Sequence, residues 1–300
     1  MAVIRVDDLR KRYGEIEAVA GVSFDVSEGE VYGLLGHNGA GKSTTVEILE
    51  GHRKRTSGDV SVLGMDPASG GRQFRDRIGV VLQSSGVETE LSVKEAILLY
   101  GSVYRRRRPL DELLDLVGLD EKADARIGTL SGGQRRRLDL ALGIVGCPDL
   151  VFLDEPTTGF DPAARRKSWD LIQGLCSLGT TVLLTTHYLD EAEHLADRVG
   201  VLSNGKLVAE GSPAELIGGA AQTVISFSID GGDPSDLIGL IPEGTLIDTS
   251  RVEISTSSPT QIVHDVTGWA LERGVELSNL SVVRPSLEDV FLELAERDTP

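Results

Sequence analysis

Val31-Tyr32-Gly33-Leu34-Leu35-Gly36-His37-Asn38-Gly39-Ala40-Gly41-Lys42-Ser43-Thr44 is the stretch whose reading decides the fold. Val31 to Leu35 is apolar and β-rich, which predicts a buried strand. Gly36 to Ser43 then fits G-x-x-x-x-G-K-[ST] without a mismatch. The chemistry explains the spelling. Phosphate oxygens must meet several backbone N–H groups at close range, and Gly36, Gly39 and Gly41 let the chain bend there without Cβ clashes. A helix is predicted from Thr44 onward, and its N-terminal N–H groups and dipole favour an anion. Lys42 reaches the β- and γ-phosphates as a point charge, and the Ser43 hydroxyl can ligate Mg²⁺. The candidate nucleotide contacts are therefore Gly36, His37, Asn38, Gly39, Ala40, Gly41, Lys42, Ser43 and Thr44.

Outward from this loop, short strands are predicted at Ile4–Val6, Val22–Val26, Val60–Leu63 and Ile78–Leu82. The period then changes. Val93, Ala96, Ile97, Leu99 and Tyr100, and later Leu110, Leu113, Leu114 and Val117, recur at helical spacing. Strands return at Leu150–Leu153, Thr181–Thr185 and Val199–Leu202. Strands alternating with helices imply an α/β domain with a largely parallel sheet, and the helical stretch reads as an inserted lobe.

The tail has its own character. Residues 221–300 hold seven Asp, seven Glu, four Arg and no Lys, within a chain of 300 residues and net charge −17. The shift marks a domain change, with a linker expected near Gly218 to Ala221. Thr223–Ile229 reads as a strand, Pro234–Gly239 as a short helix, Thr245–Thr249 and Val252–Thr256 as a hairpin, Thr260–Arg273 as a helix and Leu277–Val283 as a strand. The order β-α-β-β-α-β is the split βαβ, ferredoxin-like plan. A last amphipathic helix would place Leu287, Val290, Phe291 and Leu294 on one face.

Composition excludes several classes. An acidic chain lacks the Lys/Arg excess that non-specific nucleic-acid binding needs, so no nucleic-acid partner is expected. No run approaches the roughly 18 apolar residues that span a bilayer, and Met1 to Tyr13 lacks the apolar core of a signal peptide. The chain is expected to be soluble on its own. Cys147 and Cys176 show no metal-ligand spacing and read as ordinary apolar side chains in a reducing compartment.

A second constellation follows the apolar run Leu150-Val151-Phe152-Leu153, which ends in Asp154 and Glu155. Polar chemistry emerges at the C-terminal edge of a buried parallel strand. Asp154 is placed to hold Mg²⁺ through water, and Glu155 to orient or deprotonate an attacking water. Taken alone, the pair reads equally well as a solvated acidic turn before Pro156.

With Leu130-Ser131-Gly132-Gly133-Gln134 added, the sequence from about Val3 to Ile217 resembles the nucleotide-binding subunit of ATP-binding cassette (ABC) proteins. The resemblance implies a P-loop NTPase fold of the ABC type over residues 1–219, with a helical lobe at about 84–145, and a smaller α+β accessory domain over 220–300. It implies ATP and Mg²⁺ as ligands. Tyr13 matches the aromatic that stacks on adenine. Gln83 matches the glutamine at the junction with the helical lobe, which contacts the Mg²⁺ region and senses the membrane partner. Asp161, in Gly159-Phe160-Asp161-Pro162, matches the loop that touches the opposite subunit; Phe160 stands where leucine is commoner. His187 matches the switch histidine facing the γ-phosphate. Ser131, Gly132, Gly133 and Gln134 would form a second phosphate cradle that closes over ATP held by another copy, so two chains pair head to tail.

The implied function is ATP hydrolysis coupled to transport, with a separate multi-span permease as partner, at the cytoplasmic face of the cell membrane. Pro285-Ser286-Leu287-Glu288-Asp289-Val290-Phe291 resembles the ending of ATPase subunits of drug- and polysaccharide-type exporters, including daunorubicin-resistance-like systems. The alternative is a soluble ABC ATPase acting in translation or DNA repair. A single phosphate loop and the lack of a sustained heptad weigh against it. Arg105 to Arg108, the strongest basic run, reads as a solvated helix end or as a contact for lipid headgroups or an acidic partner.

Overall fold

The computed structural model describes residues 2–82, 86–177, 179–220, 222–230, 244–246, 251–283 and 286–291. The chain divides into two compact units, Met1–Pro213 and Ala214–Pro300.

The first unit contains two sheets. The antiparallel sheet comprises β1 (Ala2–Tyr13), β2 (Ile16–Ser27) and β4 (Ser57–Val62), in the order β2-β1-β4. The core sheet takes β3 (Val31–Gly36), β5 (Ile78–Val81), β6 (Leu150–Asp154), β7 (Thr181–Thr186), β8 (Arg198–Ser203) and β9 (Lys206–Gly211), in the order β5-β6-β7-β3-β8-β9. Its pairs are parallel except for β8–β9. Around the sheets run α1 (Lys42–Leu49), α2 (Gly71–Arg75), α6 (Pro162–Ser177) and α7 (Leu189–Leu195); α8 (Pro213–Ala220) starts at the unit's last residue and belongs otherwise to the second unit. The lobe between β5 and β6 carries α3 (Val93–Gly101), α4 (Leu110–Val117) and α5 (Gly132–Ile144).

Burial explains which elements the sequence announces. Every residue of β3 and β7 is buried, so both read as unbroken apolar or β-branched runs. β1 keeps one wet face, and Asp7, Asp8, Arg10, Lys11 and Arg12 interrupt its pattern. It therefore runs far beyond the expected Ile4–Val6. Its register against β2 shifts between Val6 and Leu9, where Asp8 takes φ 45°. The edge strand β9 went unpredicted because its positions are exposed or half-buried. Its signal is Asn204-Gly205, both at positive φ (47° and 75°), the chemistry of a tight hairpin turn. The expected linker near Gly218 is instead helical through Ala220, after a Pro213 start that suits a first helical turn.

The second unit forms a four-stranded sheet of β10 (Thr223–Asp230), β11 (Gly244–Leu246), β12 (Arg251–Thr256) and β13 (Glu276–Val283), ordered β11-β12-β10-β13. All its pairs are antiparallel, as the split βαβ plan requires. Ile225, Phe227, Ile229, Val252 and Ile254 alternate into a core that Val266, Trp269 and Ala270 of α9 (Pro259–Arg273) complete. The helix expected at Pro234–Gly239 and the end of the strand expected at Thr245–Thr249 lie outside the described residues. Residues 287–291 are helical and bury Leu287 and Val290. Ser286 and Asp289 cap this turn reciprocally: the Ser286 N–H and Oγ donate to Asp289 Oδ2 at 2.7 and 2.8 Å. Leu294 lies outside the described residues.

Candidate functional site

In the core sheet, β6, β7 and β3 are neighbours, and their C-terminal ends bring Asp154, Glu155, His187 and the loop from Gly36 to Ser43 to one edge. The loop's sharp corner is Gly41, the N-cap of α1, at φ 104°. A Cβ there would meet the Ala18 carbonyl oxygen of β2 at 2.5 Å, so only glycine fits. No side chain caps α1 and no acidic residue occupies its first turn. The first N–H groups of a helix have no intrahelical acceptor, so they remain available to an anion. His37, Asn38, Gly39 and Ser43 are exposed, Thr44 is half-buried and Ala40 is buried. Lys42 lies 7% exposed, with Nζ donating to the Gly36 carbonyl at 2.6 Å and to the His37 carbonyl at 3.1 Å. Burial lowers its pKa from the ordinary lysine value, while Glu155 and Asp154 act in the opposite direction.

Asp154 Oδ1 accepts a hydrogen bond from Thr185 Oγ1 of β7 at 2.5 Å. Glu155 adopts φ 45°, a left-handed conformation uncommon outside glycine. Its Oε1 lies 3.0 Å from His187 Nδ1, and its Oε2 accepts from Thr158 Oγ1 at 3.1 Å. The His187 ring lies against Tyr188, with centroids 4.1 Å apart. Tyr13, at the tip of the β1–β2 hairpin, is 40% exposed and is flanked by Lys11 Nζ and the Arg53 guanidinium, 4.9 and 5.3 Å from the ring centre. Both cations lie over the ring, so a base stacking on Tyr13 would meet a face where cation–π contacts already operate. Gln83 lies outside the described residues.

Ser131, Gly132, Gly133 and Gln134 do not join this edge within the chain. They line a separate cavity of about 440 Å³ with Asp161, Ala164 and Lys167. Ser131 caps α5: its Oγ accepts the Gln134 N–H at 3.3 Å while its own N–H donates to Gln134 Oε1 at 2.9 Å. That reciprocal cap still leaves the Ser131 hydroxyl proton free to donate. Asp161 Oδ1 accepts the Ala164 N–H at 2.9 Å and so caps α6. Two helix N-termini thus open into one cavity.

Sequence reasoning missed Arg136. From α5 its guanidinium donates to the carbonyls of Asp154 (2.9 Å), Glu155 (3.3 Å), Pro156 (3.0 Å) and Leu82. Burial lowers its pKa, while the charges of Asp139, Asp154 and Glu191 raise it. One side chain therefore ties the Ser131 helix to the chain carrying Asp154 and Glu155 and to the residue before Gln83. Within the run Arg135-Arg136-Arg137 no local signal singled it out.

The sequence matches the ABC transporter family over residues 19–158, and over residues 223–286 the C-terminal domain of ABC transporter domain-containing protein-like chains. The Nod factor export ATP-binding protein I of Rhizobium sp. (strain N33) is 39% identical, over 99% of this chain and 99% of its own. The chain belongs to the ABC transporter ATP-binding subunits. Another relative of this ATPase subunit is the daunorubicin resistance ATP-binding protein DrrA3 of Streptomyces coeruleorubidus, 37% identical over 98% of this chain and 96% of its own. Among solved cassettes, a dimeric post-hydrolysis state bound to ADP and Pi is 25% identical, with a TM-score of 0.62, over 70% of this chain and 98% of that one. The cassette described here is thus an ATPase subunit whose C-terminal unit also has counterparts along the length of its relatives.

Proposed function

We propose that this subunit hydrolyses ATP between two copies of itself and thereby drives a separate membrane permease that exports a hydrophobic, drug-like or polymeric cargo. The observation that carries the reading is the convergence of the Gly36–Ser43 loop, Asp154, Glu155 and His187 on one sheet edge, while the Ser131 cradle opens elsewhere on the same chain. A site split in this way calls for a second copy to complete it, and a related cassette bound to ADP and Pi is dimeric.

In this reading Lys42 and the uncapped first turn of α1 bind the β- and γ-phosphates, and Tyr13 stacks on adenine. The opposing Ser131, Gly132, Gly133 and Gln134 add donors to the γ-phosphate, with Asp161 supporting the junction. Glu155 accepts the proton of the attacking water, and His187 positions Glu155. The structure suits Mg²⁺: a hydroxyl at Ser43 and a carboxylate at Asp154 flank the loop, and Gln83 is the third proposed ligand. When bound, the ion would neutralise phosphate charge. Donors fixed before the charge develops supply most of the acceleration.

Support for a permease partner comes from a groove of about 340 Å³ beside the end of β5, lined by Val80, Leu82, Val87, Tyr100 and Leu142. Leu82, Leu98, Leu99, Tyr100 and Val103 are exposed nearby in sequence, an apolar surface for a partner helix. Among the described residues no helix is long and apolar enough to cross a membrane. With a separate permease as partner, the proposed place is peripheral, on the cytoplasmic face. Export is read from the names of the relatives. We read residues 1–219 as the cassette and 220–300 as an accessory domain.

The test is co-purification from native membranes in mild detergent. A polytopic membrane protein retained with the wild-type chain is expected. Recovery of the chain only in the soluble fraction, with ribosomal or repair proteins, would overturn the transport reading.

A further inference from the structure

We propose that an arginine-lined cavity at the opposite edge of the core sheet binds a phosphate-bearing anion. The cavity has a volume of about 670 Å³ and is lined by Arg5, Arg77, Arg106, Arg108 and Cys147. A second hollow of about 560 Å³ adjoins it through Arg77, Arg106, Cys147 and Asp149 and adds Arg72 and Arg105. Six arginines thus face three carboxylates, Glu28, Asp76 and Asp149. This is the reverse of the balance across a chain of net charge −17.

The existing ion pairs do not exhaust the guanidiniums. Arg77 donates to Asp149 at 2.6 Å, Arg72 stands 3.8 Å from Asp76, and Arg108 pairs with Glu112 at 2.9 Å. Arg108 Nε is nevertheless buried without an acceptor. Among the described residues Arg105 and Arg106 form no ion pair and are exposed at the rim. Planar forks of N–H donors match phosphate oxygens two at a time, which a lone surface lysine does not.

The cavity is separate from the nucleotide edge. Arg77, Asp149 and Thr180 immediately precede β5, β6 and β7, whereas Asp154, Glu155 and His187 lie at or beyond the far ends of β6 and β7. At about 3.3 Å per residue, strands of this length keep the two edges roughly 15 Å apart. The shared chemistry is a set of anionic phosphate oxygens, and two sources supply it: a soluble polyphosphate or the headgroup of an acidic lipid.

The experiment uses the full chain with saturating Mg-ADP, so that the nucleotide site is filled. Pyrophosphate is titrated calorimetrically, and co-sedimentation is measured with vesicles of phosphatidylglycerol and, separately, of phosphatidylcholine. Wild-type chain is expected to bind pyrophosphate, phosphatidylglycerol vesicles or both, and not phosphatidylcholine. Arg105→Gln/Arg106→Gln should weaken that binding by about thirtyfold, about fivefold per guanidinium, with ATP hydrolysis unchanged. Binding of pyrophosphate alone assigns a soluble ligand, and binding of acidic vesicles alone assigns a headgroup. Equal binding by wild type and variant, or no binding of either probe, would overturn the proposal.

Discussion

His187 Nδ1 stands 3.0 Å from Glu155 Oε1, so the residue proposed as base is held by the residue proposed to sense the γ-phosphate. Thr158 holds the other oxygen, at 3.1 Å. Replacing Glu155 by Gln keeps the shape and removes the basic lone pair. ATP should still bind, while turnover falls by about 10²–10⁴-fold, the usual share of general-base catalysis. With ATP present the variant should accumulate as a dimer in gel filtration. Hydrolysis at the wild-type rate would reject the assignment.

Arg136→Gln removes the fork that holds four carbonyls across two segments. Hydrogen bonds from a charged donor are worth about 1.5–3 kcal/mol each and do not add. A loss of about 2–4 kcal/mol in urea unfolding is expected, with kcat reduced and ATP affinity at Lys42 largely kept. Arg136→Lys should not restore kcat, because one ammonium cannot reach all four oxygens.

Gly41→Ala places a methyl 2.5 Å from the Ala18 carbonyl oxygen at a φ of 104°. Both effects oppose the loop conformation that presents the first N–H groups of α1. Titration with a fluorescent ATP analogue should show affinity falling at least about tenfold, which corresponds to the roughly 1–2 kcal/mol of backbone strain before the clash is added. Unchanged affinity would mean that the loop is not the phosphate cradle.

Glu50 gives a pH signature. It is 4% exposed, with Oε2 3.1 Å from His52 Nδ1. Burial, aided by the charges of Asp154 and Glu47, pushes its pKa from 4.5 to about 8. Between these values the folded chain holds a proton that the unfolded chain releases. Stability attributable to Glu50 therefore falls as pH rises from 4.5 to about 8 and is level above that. The full span is on the order of 5 kcal/mol. Glu50→Gln should lose this slope, so its Tm relative to wild type rises between pH 5.5 and pH 8.5. A constant difference across that range would show that Glu50 stays ionised.

Elements whose burial matches their period were legible from the sequence. β3, β6 and β7 are buried throughout or nearly so, and they stand where their apolar runs end in chemistry. In the second unit the alternation of Ile225, Phe227 and Ile229 foretold β10 and its inward face. What escaped reading depends on neighbours. The full length of β1 is set by pairing with β2 and β4 despite five charged residues between Asp7 and Arg12. The role of Arg136 arises from carbonyls 18 to 54 residues away, which no local pattern encodes.

The left-handed backbone at Glu155 has a consequence for how this chain can evolve. A side chain with a Cβ at φ 45° costs about 1–2 kcal/mol relative to glycine. Selection on folding alone would therefore favour glycine or asparagine at 155, and the proposed role of Glu155 as the base is what would keep the carboxylate there. A directed-evolution campaign scored on heat survival should enrich that substitution and, if Glu155 is the proposed base, return robust chains without turnover.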